Sequence, residues 1–432
     1  MNDKKNVAII VGGGPAPGIN GVISAATIEA INRGHKVYGI RYGFEKIMAG
    51  DKSAAIELTI PQVSRIHSEG GSILLTSRAN PMKSEEALKN VIRVLQELNV
   101  GYLVTIGGDD TASSARAIAQ AAGGTICVGH VPKTIDNDLP LPEKNSTFGF
   151  QTAREVGMEI TETLLRDAQM TSRWYLAIAM GRKAGHLALG IGLPAGATLT
   201  IIPEEFGDEK ISFSLLVNII VGSIVKRYID GRHYGVVVLA EGLADKLDES
   251  SIPELQDVER DPHGNIRFAE LDFGGMVKNG VRKRLAQLGL PKMLVVDKNV
   301  GYELRCAAPN AFDREYTRVL GFGVIDFLLQ GGTDAMISRQ RDNLVPIPFQ
   351  NILDRDTGRI RIRLVDTRAD VFRASRKYMI RLTVADLEND QFVGKLSELT
   401  GKTPAELRTE FAPAAAAAHG VAEGASQSSN EG

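Results

Sequence analysis

The feature that most constrains the fold is an order that repeats along the chain: a short apolar run, a loop, and then apolar residues at helical spacing. The run at residues 7–11 ends in a glycine loop, a helical pattern follows over residues 19–30, and residues 36–40 form the next apolar run. Strands buried on both faces of a parallel sheet have such continuous apolar runs. The order therefore predicts βαβ units. We expect an α/β protein with doubly wound sheets and with ligands at the carboxyl ends of the strands.

The composition excludes several classes of protein. Fifty basic and fifty-two acidic side chains give a formal net charge of -2, so no overall basic field indicates a nucleic acid partner. No apolar run approaches the ~18 residues of a membrane span, and the apolar run before the first glycine loop is too short for a signal peptide. The two cysteines, Cys127 and Cys306, both lie in runs that we interpret as strand or strand end, so no disulfide scaffold is predicted. We expect a cytoplasmic protein with small-molecule or protein partners.

An acidic loop follows the apolar run at residues 102–106. It contains Gly107, Gly108, Asp109 and Asp110, directly before a helical pattern. Glycines let the backbone approach a phosphate closely, and the N–H groups of a first helical turn favour an anion. Two adjacent carboxylates fit such a place if one holds a cation that neutralises the phosphate and the other keeps a group out. For this loop alone, a plain helix N-cap is the alternative interpretation.

A second acidic loop at residues 131–140 follows the apolar run at residues 125–128 and places Lys133 three residues before Asp136. Phosphoryl transfer to a sugar hydroxyl needs positive charge on the transferring group, a metal ion, and a carboxylate that takes the hydroxyl proton. An Asp-Asn-Asp sequence before proline is often only a turn. The two loops together, each at the end of its own βα unit, favour the chemical interpretation.

Two arginines follow predicted strands. Residues 70–78 predict a strand that ends at Arg78, for which a plain surface position is the alternative. Arg182 follows Met180 and Gly181 at the end of the apolar run at residues 174–179. A planar guanidinium in such a place is suited to bidentate phosphate binding.

These motifs resemble those of the phosphofructokinase family over about residues 7–331. The family's acidic loops read Gly-Gly-Asp and Thr-Ile-Asp-Asn-Asp, and residues 180–186 match a run that is highly specific for it. Asp110 and Lys133 stand where ATP-dependent members usually carry glycine, so the chain is more similar to the pyrophosphate-dependent branch. The chain departs from the family at Pro15, where most members carry aspartate, and at Tyr302, where many ATP-dependent members carry histidine.

The resemblance implies a role for each matching residue. Asp136 is the implied catalytic base, Lys133 stabilises charge, Asp110 decides the donor, and Asp109 anchors Mg²⁺. The implied donor contacts are Gly14, Arg78 and Lys133. The implied contacts of fructose 6-phosphate are Thr134, Ile135, Asp136, Asp138, Arg173, Met180, Gly181, Arg182, Glu241, Tyr302 and Arg305.

The implied reaction is the reversible transfer of a phosphoryl group from pyrophosphate to the 1-hydroxyl of fructose 6-phosphate. It gives fructose 1,6-bisphosphate and phosphate. One alternative is an ATP-dependent phosphofructokinase, which a comparison of the two donors distinguishes. The other is a non-catalytic regulatory subunit that keeps the fold and loses the base. The intact Asp109, Asp136 and Arg182 argue against that second alternative.

The resemblance also implies two doubly wound, Rossmann-like domains with the active site in the cleft between them. Residues 1–142, with roughly residues 306–412, would bind the donor and magnesium, and residues 143–305 would bind fructose 6-phosphate. Family members share sites across dimers and tetramers, with the residue that matches Arg173 supplied by a neighbour, so a homodimer or homotetramer is expected. Residues 413–432 are rich in alanine and then in glycine, serine and glutamate, a composition that predicts a disordered tail.

Three further expectations come from single positions and from the end of the chain. His186 has no obvious partner in the sequence and is expected to be structural. Glu204 and Glu205 are expected to cap the next helix. Residues 335–382 predict short strands and turns, and residues 384–399 predict a final helical region.

Overall fold

The computed structural model describes residues 4–142, 145–252, 272–358 and 360–417. The chain forms two compact units. The first unit comprises Met1–Val156 and Tyr302–Arg363, and the second comprises Gly157–Gly301 and Leu364–Gly432.

The strands follow the apolar runs of the sequence. In the described residues they are β1 (Asn6–Val11), β2 (Val37–Ile40), β3 (Ala55–Leu58), β4 (Val100–Gly107), β5 (Cys127–Pro132), β6 (Arg173–Ala179), β7 (Leu199–Ile201), β8 (Gly235–Ala240), β9 (Leu294–Val300), β10 (Ala335–Gln340) and β11 (Asn343–Pro348).

Each unit is built on one sheet. The strand order is β11-β10-β5-β4-β1-β2-β3 in the first unit and β7-β8-β6-β9 in the second. Neighbouring strands are parallel except for the antiparallel pairs β2–β3 and β10–β11. The carboxyl ends of β1, β4 and β5 therefore meet at one edge of the first sheet, and those of β6, β8 and β9 meet at one edge of the second. The predicted α/β architecture is confirmed.

The helices connect and flank these strands. In the described residues they are α1 (Ile19–Asn32), α2 (Glu45–Met48), α3 (Ile60–Val63), α4 (Glu85–Glu97), α5 (Asp109–Ala121), α6 (Phe150–Thr171), α7 (His186–Gly192), α8 (Phe213–Ile229), α9 (Phe273–Gln287), α10 (Tyr302–Arg305), α11 (Ala311–Leu329), α12 (Asp370–Tyr378), α13 (Val384–Glu388), α14 (Asp390–Thr400) and α15 (Pro404–Ala417). None of them is both long enough and apolar enough to cross a membrane.

The core of each unit lies on its central strands. All of β1 after its first residue is buried, and so is all of β8. In the second unit Trp174 on β6 is fully buried. Burial on both faces explains why these strands are continuous apolar runs in the sequence.

The unit boundaries differ from those expected from the sequence. Residues 145–156 and 302–305 belong to the first unit, and residues 364–412 belong to the second. The physical reason for the second difference is a set of buried contacts. The N–H of Ile380 donates to the Thr198 carbonyl at 2.8 Å, and Arg381 pairs with Glu205 at 2.8 Å.

The end of the chain also differs from the expectation. The segment at residues 335–382 contains the predicted strands β10 and β11 but also the helix α12, and α15 follows the predicted helical region. The predicted tail begins too early, because α15 continues through Pro413 to Ala417 with Ala414 and Ala415 buried. Residues 418–432 of that tail lie outside the described residues.

The two cysteines occupy different environments. Cys127 is the first residue of β5, as predicted, and it is half-buried. Cys306 is exposed and follows the short helix α10, so its assignment to a strand end is wrong.

Candidate active site

The glycine loop after β1 lies beside β4 and beside an irregular segment of the first unit. The N–H of Gly12 donates to the Ile106 carbonyl at 2.9 Å, and the N–H of Gly13 donates to the Ser77 carbonyl at 2.9 Å. Gly13 has a φ of 80°, which favours glycine. The Thr76 hydroxyl donates to the Gly13 carbonyl at 2.6 Å. These bonds fix the backbone that leads to Gly14.

The predicted strand at residues 70–78 is wrong. This segment is irregular apart from a bridge between Gly12 and Ser77. Leu75 has a φ of 57°, a left-handed conformation that interrupts an extended strand. Arg78 is exposed at the end of the segment, beside the glycine loop.

Three cations gather near Gly14, and we call Lys133, Arg305 and Arg78 the cationic cluster. The Lys133 Nζ donates a hydrogen bond to the Gly14 carbonyl. A Cβ built on Gly14 would lie 1.7 Å from Nη2 of Arg305, so no larger residue fits while that guanidinium keeps its place. The predicted donor residues Gly14, Arg78 and Lys133 are thus brought together.

Burial and the two neighbouring arginines shift the ionisation of Lys133, which is 4% exposed. Burial, and then the charges of Arg305 and Arg78, lower the pKa of Lys133 to about 8, while the Asp136 carboxylate opposes the shift. An anion bound here would relieve both the burial penalty and the repulsion. The cluster is therefore suited to binding a phosphate group.

Arg305 and Tyr302 lie in the first unit, whereas the sequence placed them in the fructose 6-phosphate domain. The Arg305 guanidinium carbon lies 5.8 Å from the centre of the Tyr302 ring, and that ring is 77% exposed. The structure thus places Arg305 at the predicted donor loop, with Tyr302 beside it. The short helix α10, which carries both residues, is the reason for this grouping.

The first acidic loop has the predicted strand-turn-helix geometry. Gly107 ends β4, Gly108 is the N-cap, and α5 begins at Asp109. The Asp110 N–H donates to the Asp109 Oδ1 at 2.9 Å. Asp109 is half-buried and Asp110 is exposed. Both carboxylates lie in the first helical turn, where the free N–H groups stabilise negative charge.

The Thr111 side chain is a second reason why glycine occupies positions 12 and 107. A Cβ built on Gly107 would lie 2.3 Å from the Thr111 side chain, and one built on Gly12 would lie 2.4 Å from it. Both loops therefore need glycine for packing as well as for approach to a ligand.

No group of three or more histidine, cysteine, aspartate or glutamate side chains within the described residues could hold a metal ion. A metal held by Asp109 would complete its coordination shell with phosphate oxygens and water. Mg²⁺ binds in this way, usually through one or two carboxylates together with substrate phosphates. The donor set at Asp109 fits magnesium on those terms.

His130, on β5, contacts the end of β4 where the first acidic loop begins. The sequence did not predict a role for it. Its Nε2 lies 3.1 Å from the Gly107 carbonyl and its Nδ1 lies 2.9 Å from the Thr105 hydroxyl. The Gly107 carbonyl also accepts the Lys133 N–H at 2.8 Å. Complete burial lowers the pKa of His130 to about 3, so the ring is neutral at physiological pH. A histidine within an apolar strand is the only sequence signal for this contact.

The second acidic loop is folded back on itself. The Asp136 N–H donates to the Thr134 hydroxyl at 3.0 Å, and the Thr147 hydroxyl donates to the Thr134 carbonyl at 2.7 Å. Asn137 has a φ of 57° and accepts the Thr147 N–H on its side chain at 3.0 Å. Ile135 is 5% exposed, so its side chain belongs to the core.

Two residues beyond the sequence motifs fix this region. Asp313 is fully buried and accepts the N–H groups of Gly149 and Thr152 at 2.9 Å each, at the start of α6. Burial raises the pKa of Asp313, while these bonds lower it. Arg363 donates to the Asn137 carbonyl at 2.8 Å. Neither residue belongs to a motif whose spacing could have identified it.

In the second unit, the predicted sugar-binding residues meet at the carboxyl ends of β6 and β8. The Gly181 N–H donates to the Glu241 Oε2 at 3.2 Å. The Met180 N–H donates to the Val300 carbonyl at 3.0 Å. Arg182 is exposed, and its charge, after that of Lys210, opposes the burial that raises the pKa of Asp245.

Glu204 and Glu205 do not cap the helix α8, because Ser212 performs that role. Glu204 instead accepts the N–H groups of Gly185 at 2.8 Å and Val365 at 3.0 Å. Glu205 caps only the 3-10 turn Pro203–Phe206 and is otherwise paired with arginines. The expectation failed because both side chains also have partners that are distant in sequence.

Arg173 is the first residue of β6, so it lies at the opposite end of this strand from Met180. Its Nε lies 3.7 Å from the Asp167 Oδ2, and its Nη1 lies 3.5 Å from the Tyr175 hydroxyl. The structure therefore separates Arg173 from the other predicted sugar contacts of this unit.

Known proteins resemble the chain over most of its length. It is 50% identical over 399 residues to the pyrophosphate–fructose 6-phosphate 1-phosphotransferase of Naegleria fowleri, covering 90% of this chain and 91% of that protein. It is 47% identical over 412 residues to the protein of the same name from Thermotoga maritima, covering 94% of this chain and 98% of that protein.

Solved structures share the fold. A pyrophosphate-dependent phosphofructokinase from Marinobacter aquaeolei aligns with a TM-score of 0.65 and 19% identity over 92% of each chain. The T-state phosphofructokinase of Pichia pastoris aligns with a TM-score of 0.65 and 20% identity, covering 98% of this chain, which spans 40% of the length of the Pichia chain. Residues 6–328 match the phosphofructokinase family model, and the chain belongs to the phosphofructokinase family.

Proposed function

We propose that this chain is an enzyme that transfers a phosphoryl group reversibly from pyrophosphate to the 1-hydroxyl of fructose 6-phosphate. The products are fructose 1,6-bisphosphate and phosphate. The observation that carries the proposal is the cationic cluster on Gly14, with two adjacent carboxylates at the start of α5. The relatives at 50% and 47% identity carry the name of this activity.

The cationic cluster would bind the donor. Pyrophosphate is a small polyanion, and Lys133, Arg305 and Arg78 supply three charges near the backbone of the glycine loop. Lys133 would neutralise charge on the transferring and leaving groups, because a buried ammonium acts strongly where water is excluded. This assignment gives Arg305 a donor role that the sequence did not predict.

Asp109 would anchor Mg²⁺ at the start of α5. A bound magnesium ion would neutralise the phosphate oxygens and orient the donor. Asp136 would accept the proton of the sugar 1-hydroxyl as that oxygen attacks the transferring phosphorus. The freed phosphate leaves, and reversal requires the same carboxyl group to return the proton.

In the second unit, Arg182 and Glu241 would bind fructose 6-phosphate, with Met180 and Gly181 beside them. The bond from the Gly181 N–H to the Glu241 carboxylate orients that carboxylate, which would accept hydrogen bonds from sugar hydroxyls. We also propose that the chain forms a homodimer or homotetramer in which Arg173 contributes to a neighbouring site. Sedimentation velocity tests the assembly.

Asp110 would select the donor. In ATP a further phosphate would have to lie near this exposed carboxylate, and like charges ~4 Å apart at an effective dielectric near 20 repel by about 4 kcal/mol. That repulsion corresponds to roughly a thousandfold preference against ATP.

A donor comparison tests the proposal. Purified protein is assayed with fructose 6-phosphate, Mg²⁺ and either pyrophosphate or ATP, for wild type, Asp110→Asn and Asp110→Gly. Wild type should prefer pyrophosphate. The asparagine variant removes the charge and the glycine variant also removes the bulk, so the kcat/KM ratio should move toward ATP in that order. A wild type that prefers ATP would identify the ATP-dependent alternative, and no turnover with either donor would identify a regulatory subunit.

A further inference from the structure

Arg363 lies beyond residue 328, where the family match ends, and it contacts the second acidic loop through its whole guanidinium group. Its Nε and Nη2 donate to the Asn137 carbonyl at 3.0 and 2.8 Å. Its Nη1 donates to the Asn145 carbonyl at 2.7 Å. The Arg363 N–H also donates to the Asp138 carbonyl at 2.7 Å.

The contacts fall on the residue next to the proposed base. Asn137 follows Asp136 directly, and its φ of 57° is a left-handed conformation, which asparagine adopts more readily than most residues other than glycine. The Arg363 Nη2 also donates to the Asn137 side-chain oxygen. One side chain thus binds both the main-chain and the side-chain oxygen of the residue that follows Asp136.

Only arginine has the geometry for this arrangement. Its guanidinium is planar and has five N–H donors in a fixed fork, whereas lysine has a single ammonium on a flexible stem. Burial lowers the pKa of Arg363, and the Asp138 carboxylate opposes this shift. Because an arginine stays protonated in proteins, the guanidinium is a charged donor on neutral carbonyl groups.

We propose that Arg363 is a positioning residue that holds Asp136 in place for proton transfer. The inference rests on the proposed function, in which Asp136 is the base. It assigns a catalytic purpose to a segment outside the family match. Arg363 itself acts through the main-chain carbonyls of residues 137, 138 and 145 and through the Asn137 side chain.

The test compares Arg363→Lys and Arg363→Met with Arg361→Met. Arg361 is exposed and donates to the Asn351 carbonyl at 2.7 Å, so it is a matched arginine of the same segment that does not bind the acidic loop. For both Arg363 variants, kcat should fall about 100-fold, because a small displacement of a catalytic group has an effect of that size. KM for each substrate should change by less than about threefold, and Arg361→Met should resemble wild type.

Two further measurements separate positioning from loss of structure. Amides of residues 136–142 and 145–147 should exchange hydrogen faster in Arg363→Met, with the rest of the described part of the first unit unchanged. Guanidinium ion should restore part of the activity of Arg363→Ala but none of the activity of Asp136→Asn, because only the first variant lacks a guanidinium. A wild type that uses pyrophosphate, with a kcat for Arg363→Met within about threefold of it, would overturn the inference. A wild type that is inactive with pyrophosphate would overturn the proposed function instead. Unchanged hydrogen exchange at residues 136–142 and 145–147 in Arg363→Met would refute the positioning contact in either case.

Discussion

The ammonium group of Lys133 is buried beside two other cations, so its charge depends on what binds next to it. Its lowered pKa of about 8 places its titration inside the working range of an enzyme assay. The side chain is protonated below that pH and neutral above it. Because the proposed role of Lys133 requires the charge, pH should report on that role directly.

We expect kcat/KM for pyrophosphate to be highest below pH 8 and to fall tenfold per pH unit well above it, since kcat/KM reports on the free enzyme. The limb in kcat should lie at higher pH, because bound pyrophosphate favours the protonated lysine. Profiles from pH 6 to 10 test this expectation. Lys133→Arg is the control and should lack the alkaline limb, since arginine stays protonated. A limb that persists in this variant would assign the titration to another group.

The free energy of unfolding should rise with pH over the range in which kcat/KM falls. The unfolded state binds the Lys133 proton up to a pH near 10.5, whereas the folded state releases it near 8. Stability therefore rises with pH between these two values, and the buried charge lowers the stability by about 3 kcal/mol at pH 7.

At the scale of the element, the loop that carries Arg182 is held by a side chain from another loop. Glu204 accepts the N–H groups of Gly185 and Val365 on the same oxygen. A Cβ built on Gly185 would lie 2.4 Å from Ile202, so the loop lies directly against the Glu204 segment. Burial raises the pKa of Glu204, and these two bonds oppose the shift.

Glu204→Ala should raise KM for fructose 6-phosphate and leave KM for pyrophosphate nearly unchanged. It leaves two N–H groups without their acceptor, at about 1–3 kcal/mol each, and thereby releases the loop. Glu204→Gln keeps an oxygen acceptor and should restore the KM. Glu209→Ala removes an exposed carboxylate of the same segment and should have no effect. An equal rise of both KM values would show general damage instead of a loop effect.

Strands, turns and acidic loops were predictable because their signals are local. The runs that became β1, β4 and β5 are continuous, and the glycines and aspartates follow them at once. The supports of these loops were not predictable, because Arg363 and Asp313 reach them from more than 160 positions away in the chain. Arg305 shows the same limit, since its motif gave its identity but its contact with Gly14 depends on tertiary packing.

At the scale of the whole molecule, the last part of the chain completes the second unit. Arg381, on the segment between α12 and α13, pairs with Glu205 at 2.8 Å, and the two side chains are 6% and 2% exposed. It also donates to the Thr200 carbonyl at 2.8 Å. The sequence does not predict these contacts of residues 379–383, because their partners on β7 and in the following turn are more than 170 positions away in the chain.

Arg381→Met should destabilise the second unit by about 3–5 kcal/mol, because it leaves the Glu205 carboxylate buried with weaker compensation. Trp174 is the single tryptophan and is buried in this unit, so its fluorescence during urea unfolding measures the effect. Arg373→Met is the control: its side chain is 67% exposed and pairs with the 87% exposed Asp370, and its effect should stay within about 0.5 kcal/mol. If both variants unfolded at the same urea concentration, the buried pair would not stabilise the unit.

The unequal environments of the two cysteines make the protein suitable for an optical reporter. Burial raises the pKa of the Cys127 thiol, whereas Cys306 is exposed and directly follows Arg305. Alkylating reagents react with the accessible thiolate, so a maleimide dye should attach at Cys306 first and without any engineered mutation. The dye would then sit one residue from a member of the cationic cluster, where its emission can follow the arrival of a polyanion in real time.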